Sequence, residues 1–251
     1  MQKTIKKIST IGLNNRIVHL LHKREEDDEP ESNATGFLLE CKEGIVLVSA
    51  GHVADDESLC VAFKENDPNE IYLINGTRFK SLVATVRKDD KKDWAIFANS
   101  SIVKGLLTLG VKPFCGYIDE KGLPPFQVAG FPISACKNKH HDGEKTIKNK
   151  PYQWSGLEAT DEIYSKYKYN PQENVLIKFG QGIGFYEDAP KELAHFRSPR
   201  GMSGAPITDA NGLLIGVFTG VTEDNEYLVG TRIDVILNDI KNGLYDQVDL
   251  P

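Results

Sequence analysis

Cysteine is scarce and poorly placed for either of its structural uses. The four residues, Cys41, Cys60, Cys115 and Cys136, lie far apart and form no CxxC pair, which excludes a zinc ribbon and a disulfide-dense scaffold. Free thiols in a reducing compartment are the expectation. A basic surplus is also lacking, since 30 Lys and Arg stand against 36 Asp and Glu for a net charge of −6. Sequence-independent nucleic-acid binding needs the opposite balance. No apolar run is long enough to cross a bilayer: Gly212 to Val221 contains three glycines and a threonine and falls far short of roughly 20 residues. At the N-terminus Lys3, Lys6 and Lys7 are followed by Asn14 to Arg16, which interrupts the apolar stretch of a secretory signal. We therefore expect a cytoplasmic protein with no membrane contact. Internal repeats and Gly-Ser linkers are absent too.

What remains is an ordinary globular composition, 40% hydrophobic and 26% charged over 251 residues, enough for one large all-β domain or two small lobes. Short runs of Val, Ile, Phe and Leu recur between turn residues, the pattern of many short antiparallel strands. Strands are expected at 17–21, 36–40, 44–49, 60–63, 71–74, 82–87 and 94–98, then at 126–129, 175–179, 205–208, 213–218 and 227–231. A closing amphipathic helix is expected over 234–242, with Val235, Ile236 and Ile240 on one side. Pro113, Gly116, Gly122, Pro124 and Pro125 crowd into 111–125 and should break any regular element there. That places a first lobe at 1–110, a linker at 111–125 and a second lobe at 126–251. The charged runs Arg24 to Glu31 and Lys137 to Lys150 read as solvated loops.

Three stretches carry chemistry. In Arg200-Gly201-Met202-Ser203-Gly204-Ala205-Pro206 a serine sits between glycines just before an expected strand. Glycine permits the tight turn that exposes Ser203 and aims the N–H groups of Gly201 and Ser203 at one point, as an oxyanion hole requires. Upstream, the apolar strand Ile45 to Val48 runs into Ser49-Ala50-Gly51-His52, placing an imidazole at a strand end. In Lys92-Asp93-Trp94-Ala95-Ile96-Phe97 an aspartate opens an apolar strand, where a buried carboxylate would need a hydrogen-bonding partner. His52 is a suitable partner, because an Asp that accepts from one ring nitrogen leaves the other free as a base.

These motifs, in the order His, Asp, Ser, resemble those of the chymotrypsin-like (trypsin-fold) serine peptidases, and among them bacterial trypsin-like peptidases related to the HtrA/Deg catalytic domain. Ser49-Ala50-Gly51-His52-Val53 is similar to the family's TAGHV, Asp93-Trp94-Ala95-Ile96 to its Asp-apolar-Ala-apolar strand, and Gly201 to Pro206 to its GxSGGP. Asn211 to Val217 and Thr35-Gly36-Phe37-Leu38 continue the likeness. The resemblance implies two six-stranded-type antiparallel β-barrels with a C-terminal helix. It also implies a triad of His52, Asp93 and Ser203, an oxyanion hole at Gly201 and Ser203, and substrate pairing along Thr219, Gly220 and Val221. Protein or peptide substrates follow, with an activating protein partner as a further expectation. A fold of this kind that had lost turnover would serve as a binding module. Two departures stand out. Met202 occupies the position where trypsin has an aspartate, so activation by a new N-terminus is not available. Arg197 stands six residues before Ser203, where basic specificity would use an aspartate, so cleavage after Lys or Arg is not expected. No cofactor or metal is expected: Cys136, His140 and His141 fall in a lysine-rich run with no further ligand pair. Gly180 to Gly184 lacks the Lys-Ser/Thr of a phosphate loop and reads as a flexible loop beside the cleft.

Overall fold

The computed structural model describes residues 16–22, 31–42, 44–55, 59–62, 70–73, 79–81, 86–89, 92–97, 100–108, 110–115, 122–134, 136, 138–141, 144–148, 151–178 and 198–242. The first half holds strands β1 (Ile17–His22), β2 (Glu31–Cys41), β3 (Gly44–Ala50), β4 (Leu59–Ala62), β5 (Glu70–Leu73), β6 (Phe79–Ser81), β7 (Val86–Asp89) and β8 (Trp94–Phe97), then helix α1 (Ser100–Thr108). There follow β9 (Phe114–Cys115), β10 (Phe126–Gly130), β11 (Asn138–His141), β12 (Glu144–Lys148), β13 (Tyr152–Gly156), helix α2 (Asp161–Tyr167) and β14 (Asn174–Lys178). The chain ends on β15 (Pro206–Thr208), β16 (Leu214–Val221), β17 (Tyr227–Arg232) and helix α3 (Ile233–Asn242).

Two large sheets result. The first runs β6-β4-β1-β2-β3-β8-β7, with β9 added in parallel to β2. Laid flat, this path would separate β6 from β7 by nearly 30 Å at about 4.8 Å per strand. Yet β6 ends at Ser81 and β7 begins at Val86, and five extended residues span at most about 18 Å, so the sheet must curl. The second runs β13-β10-β15-β16-β17-β14. Its edges meet, because Lys178 N–H donates to Leu157 O at 3.0 Å and Ala159 N–H to Leu176 O at 2.8 Å, which closes the six strands into a barrel. The architecture is mostly β with a C-terminal helix, a chymotrypsin-like fold.

Alternation along the strands builds three cores. Leu38 of β2 and Ala95 and Phe97 of β8 face one with Leu20, Leu47 and the α1 residues Ile102 and Leu106. Phe126, Val128, Trp154, Ile207 and Phe218 fill the second barrel. Between them, Phe37, Leu39, Val48 and Trp94 from the first sheet pack on Leu214 and Val217 from the second and on Ile233, Ile236 and Ile240 of α3. Residues 214–218 of β16 are all buried, which is why that stretch reads as an unbroken apolar run, although Leu213 just before it is exposed.

Several expectations need correction. The run Lys137 to Lys150 is not a simple solvated loop, since 138–141 and 144–148 form the β11–β12 hairpin, which pairs through β12 with β5 in a separate three-stranded sheet. The charge run marks no loop because the backbone pairing of β12 with both β11 and β5 organises it. Residues 71–74 were expected in the first barrel, and β5 lies in this third sheet instead. The segment 111–125 does hold a regular element, the two-residue β9, which starts just after Pro113 and ends on Cys115 before Gly116. The buried side of α3 is Ile233, Ile236, Asp239 and Ile240, while Val235 is only half-buried. Residues 24–30, 180–184 and 197, including the expected phosphate-loop look-alike and Arg197, lie outside the described residues.

Candidate active site

Antiparallel pairing of β3 with β8 sets Ala50 opposite Trp94. The residues just beyond that pair are therefore neighbours in space, although 41 positions separate them. β3 passes into a 3-10 turn at Gly51–Asp55 and Asp93 enters β8 with φ 52°. His52 N–H donates to Asp93 Oδ1 at 2.8 Å, and His52 Nδ1 lies 3.0 Å from Oδ1 and 2.9 Å from Oδ2. Nδ1 thus carries the proton and Nε2 presents a lone pair. A Cβ on Gly51 would come within 3.0 Å of Asp93 Oδ1 and 3.1 Å of its Cα, so glycine here allows the close approach. The Asp93 hydrogen bond pushes the imidazole above its ordinary value of 6.5; partial burial opposes the shift, and the charges of Asp93 and Asp55 add to it. The side chains are 50% and 32% exposed, so Asp93 is less buried than its place at the head of an apolar strand led us to expect. It opens a buried strand from outside the core.

Ser203 lies on a loop whose N–H groups alternate in use. Met202 N–H donates to Pro199 O at 2.9 Å and Gly204 N–H to Phe218 O at 2.7 Å. Among the described residues, the N–H groups of Gly201 and Ser203 have no protein acceptor. Gly201 and Gly204 have φ of 90° and 86°, conformations costly for any other residue. Met202, fully buried, packs in the second barrel's core with Trp154 and Phe218. Its side chain anchors the loop from below.

The first sheet holds the same loop from above. Thr35 N–H donates to Ser203 O at 2.9 Å, and the Thr35 hydroxyl donates to Gly201 O at 3.2 Å while accepting from Phe131 N–H at 2.9 Å. Ser49, three positions before His52, donates its hydroxyl to Thr35 O at 2.8 Å. The serine and histidine loops are therefore docked through Thr35 and Ser49. Sequence reasoning missed both as site residues. Their signal was a hydroxyl in the middle or at the end of a strand whose neighbours are otherwise apolar.

The reacting side chains themselves are not joined. Among the described residues neither His52 Nε2 nor Ser203 Oγ makes a hydrogen bond, so none links them. On the far side, β16 pairs with β15 as far as Val217, and Phe218 bonds Gly204 and Ala205. Beyond that point, among the described residues, Thr219, Gly220 and Val221 are paired only on the β17 side, with Thr219 in a bulge and its hydroxyl 3.3 Å from Val229 O. Among the described residues that edge of β16, next to the serine loop, is open. Cys136 is buried against Ile17 and Phe131, and His140 and His141 lie on β11. Among the described residues no group of three or more His, Cys, Asp or Glu is placed to hold a metal ion. Likewise none of the described helices is long and apolar enough to cross a membrane.

No protein-family model matches the chain, and no curated protein matches it. Solved structures do. The active form of the Rv3671c protease from M. tuberculosis is 18% identical, with 97% of this chain and 87% of that chain covered and a TM-score of 0.49. A structure from work on the intrinsically disordered Sesbania mosaic virus VPg protein is 13% identical, with 88% and 89% covered and a TM-score of 0.43. GrC is 15% identical, with 92% of this chain and 94% of that chain covered and a TM-score of 0.53. The likeness to GrC is one of fold over nearly the whole length of both chains.

Proposed function

We propose that this chain is a trypsin-like serine endopeptidase, of the kind related to the HtrA/Deg catalytic domain. The carrying observation is a histidine whose Nδ1 is held by Asp93, on a loop docked through Ser49 and Thr35 to a serine loop in which, among the described residues, two N–H groups have no protein acceptor. In this reading lobes 1–110 and 126–251 flank the cleft. Ser203 Oγ attacks the scissile carbonyl as His52 Nε2 takes its proton, and Asp93 stabilises the resulting imidazolium. The N–H groups of Gly201 and Ser203 hold the oxyanion. When the C–N bond breaks, the amine leaves with the His52 proton. Water, deprotonated by His52, then hydrolyses the acyl-enzyme and returns the proton to Ser203. A protein or peptide substrate adds to the open edge at Thr219, Gly220 and Val221 by backbone hydrogen bonds. Arg197 sits before the serine loop and disfavours Lys or Arg at the cleaved position. Among the described residues Cys41, Cys115 and Cys136 are in no disulfide, which is compatible with the cytoplasm.

The missing hydrogen bond between Ser203 and His52 favours a second reading, a binding module without turnover. It also gives an activating protein partner a definite role, which is to close Ser203 onto His52. A fluorophosphonate probe separates the readings. An assembled site labels Ser203 and generates new protein termini that Ser203→Ala does not, with a loss of roughly 10⁴ to 10⁶ in turnover. Absence of labelling with and without substrate peptides or cell extract would leave only the binding module.

A further inference from the structure

Both chain neighbours of Asp93 are gripped by one buried carboxylate from the far end of the sequence. Asp239, on the core side of α3 and 1% exposed, accepts from Lys92 Nζ at 2.9 and 2.8 Å and from Trp94 Nε1 at 3.2 Å. The Thr231 hydroxyl of β17 donates to the Lys92 carbonyl. Lys92 and Trp94 are positions i−1 and i+1 of Asp93, which has φ 52°. A non-glycine residue stays in that region only where its surroundings over-determine it. A carboxylate as buried as Asp239 also needs full compensation, and it receives three donor contacts, all from the residues flanking Asp93. The ion pair therefore fixes backbone geometry at one point, the peptide units on which the Asp93 carboxylate is aimed.

We propose that Asp239 is a positioning residue for the His52–Asp93 dyad, holding Asp93 from both sides so that its carboxylate meets His52 Nδ1 and the backbone N–H of His52 together. The catalytic consequence rests on the proposed peptidase reading, whereas the geometric one does not. Freed of Asp239, the Asp93 loop relaxes toward ordinary φ, the Nδ1 contact lengthens, and the imidazole loses the interaction that keeps it in one tautomer and orientation.

The test is an NMR titration of His52, assigned by comparison with His52→Gln, in the wild type, Asp239→Asn and Lys92→Arg. Asp239→Asn keeps an acceptor for Trp94 but gives up the ion pair. We expect its His52 to titrate closer to 6.5, to lose the downfield Nδ1–H resonance, and to lower kcat by roughly 10- to 100-fold with KM within about 2-fold. Lys92→Arg retains the pair and should titrate as the wild type does. If Asp239→Asn fails to fold, the double variant Lys92→Met with Asp239→Leu replaces the pair by apolar groups, which folded proteins tolerate, and should show the same shift. A folded variant lacking the pair whose His52 titrates as in the wild type overturns the proposal. A wild type without peptidase activity overturns the peptidase reading alone, because the titration still reports the dyad.

Discussion

Replacing Gly204 by alanine separates two costs that glycine positions usually mix. A Cβ there would collide with Ser49 Oγ and Thr35 O and stand 2.8 Å from Ser49 Cα. These are backbone and strand-end atoms with no room to withdraw, because Ser49 already donates to Thr35 O and Thr35 to Ser203 O. Overpacking of this kind costs about 1–3 kcal/mol, and φ of 86° adds about 1–2 kcal/mol for a residue with a Cβ. Reduced freedom of the unfolded chain returns about 0.4–1 kcal/mol. The net loss is then roughly 2–4 kcal/mol, a large share of the 5–15 kcal/mol typical of a domain. Gly212→Ala is the control: φ is 81° but nothing lies within 4 Å of the added Cβ, so only the conformational cost applies. Urea unfolding should therefore separate the variants by about 1–3 kcal/mol. Since the collision drives the serine loop off the first sheet, fluorophosphonate labelling should fall by about 100-fold in Gly204→Ala and stay unchanged in Gly212→Ala. Equal stability of the two variants, with equal labelling, would refute the docking argument.

The pH dependence of peptide hydrolysis should follow His52. Its folded pKa lies above 6.5 and the base must be neutral, so activity rises with pH through that raised value. Asp93→Asn should move the inflection downward as well as lower the rate by about 10⁴. The stability linkage has the opposite sign: the dyad's contribution is complete below the unfolded pKa and disappears as pH rises through the folded one. An activity profile inflecting below 6.5 would contradict the arrangement. Met202→Ala empties a fully buried site and should destabilise by about 2–5 kcal/mol, measured by urea unfolding. A loss under about 1 kcal/mol would mean that the serine loop is not anchored through this side chain.

How much was legible in the sequence depended on how local the cause was. The strands at 17–22, 44–50 and 227–232 and the closing helix follow from short apolar runs between turn residues, and the structure has all of them. The His52–Asp93 contact was legible because a carboxylate opening an apolar strand calls for a hydrogen-bonding partner and the two motifs resemble those of a peptidase family. Helix α1 was not, since Ser100-Ser101-Ile102-Val103-Lys104-Gly105 mixes β-branched residues and glycine and is helical because Ile102, Val103 and Leu106 cap the first core. Helix α2 is short and buries chiefly Tyr164. The hairpin of β11 and β12 owes its place to β5, far earlier in the chain. Least legible were the polar residues that set the site. Thr35 meets Gly201 across 166 positions, Lys92 meets Asp239 across 147 and Thr231 meets Lys92 across 139. A buried hydroxyl or carboxylate has no periodic signature, and its partner is fixed only once the sheets have packed.

Those long-range contacts share one arrangement, and it follows from placing a site between two sheets. Each loop that carries a reacting group grows from one sheet, so its own sheet fixes only one end of it. The serine loop belongs to the second barrel, and Thr35 of the first sheet, braced by Ser49, holds it. The Asp93 loop belongs to the first sheet, and Thr231 of β17 and Asp239 of α3 hold it. The contacts are reciprocal, so sliding one sheet on the other would disturb both loops together. The apolar layer of Phe37, Trp94, Leu214, Val217, Ile233 and Ile236 between the sheets resists such sliding, because close-packed side chains have discrete rather than continuous arrangements. Loosening that layer should thus act on the site before it unfolds either barrel. Ile236→Ala, at a fully buried position, should lower both the fluorophosphonate labelling rate and the His52 pKa under conditions where circular dichroism still reports native strands. Wild-type labelling and titration in that variant, despite an expected loss of about 2–5 kcal/mol in stability, would mean that each loop is held by its own barrel and that the crossing hydrogen bonds are incidental.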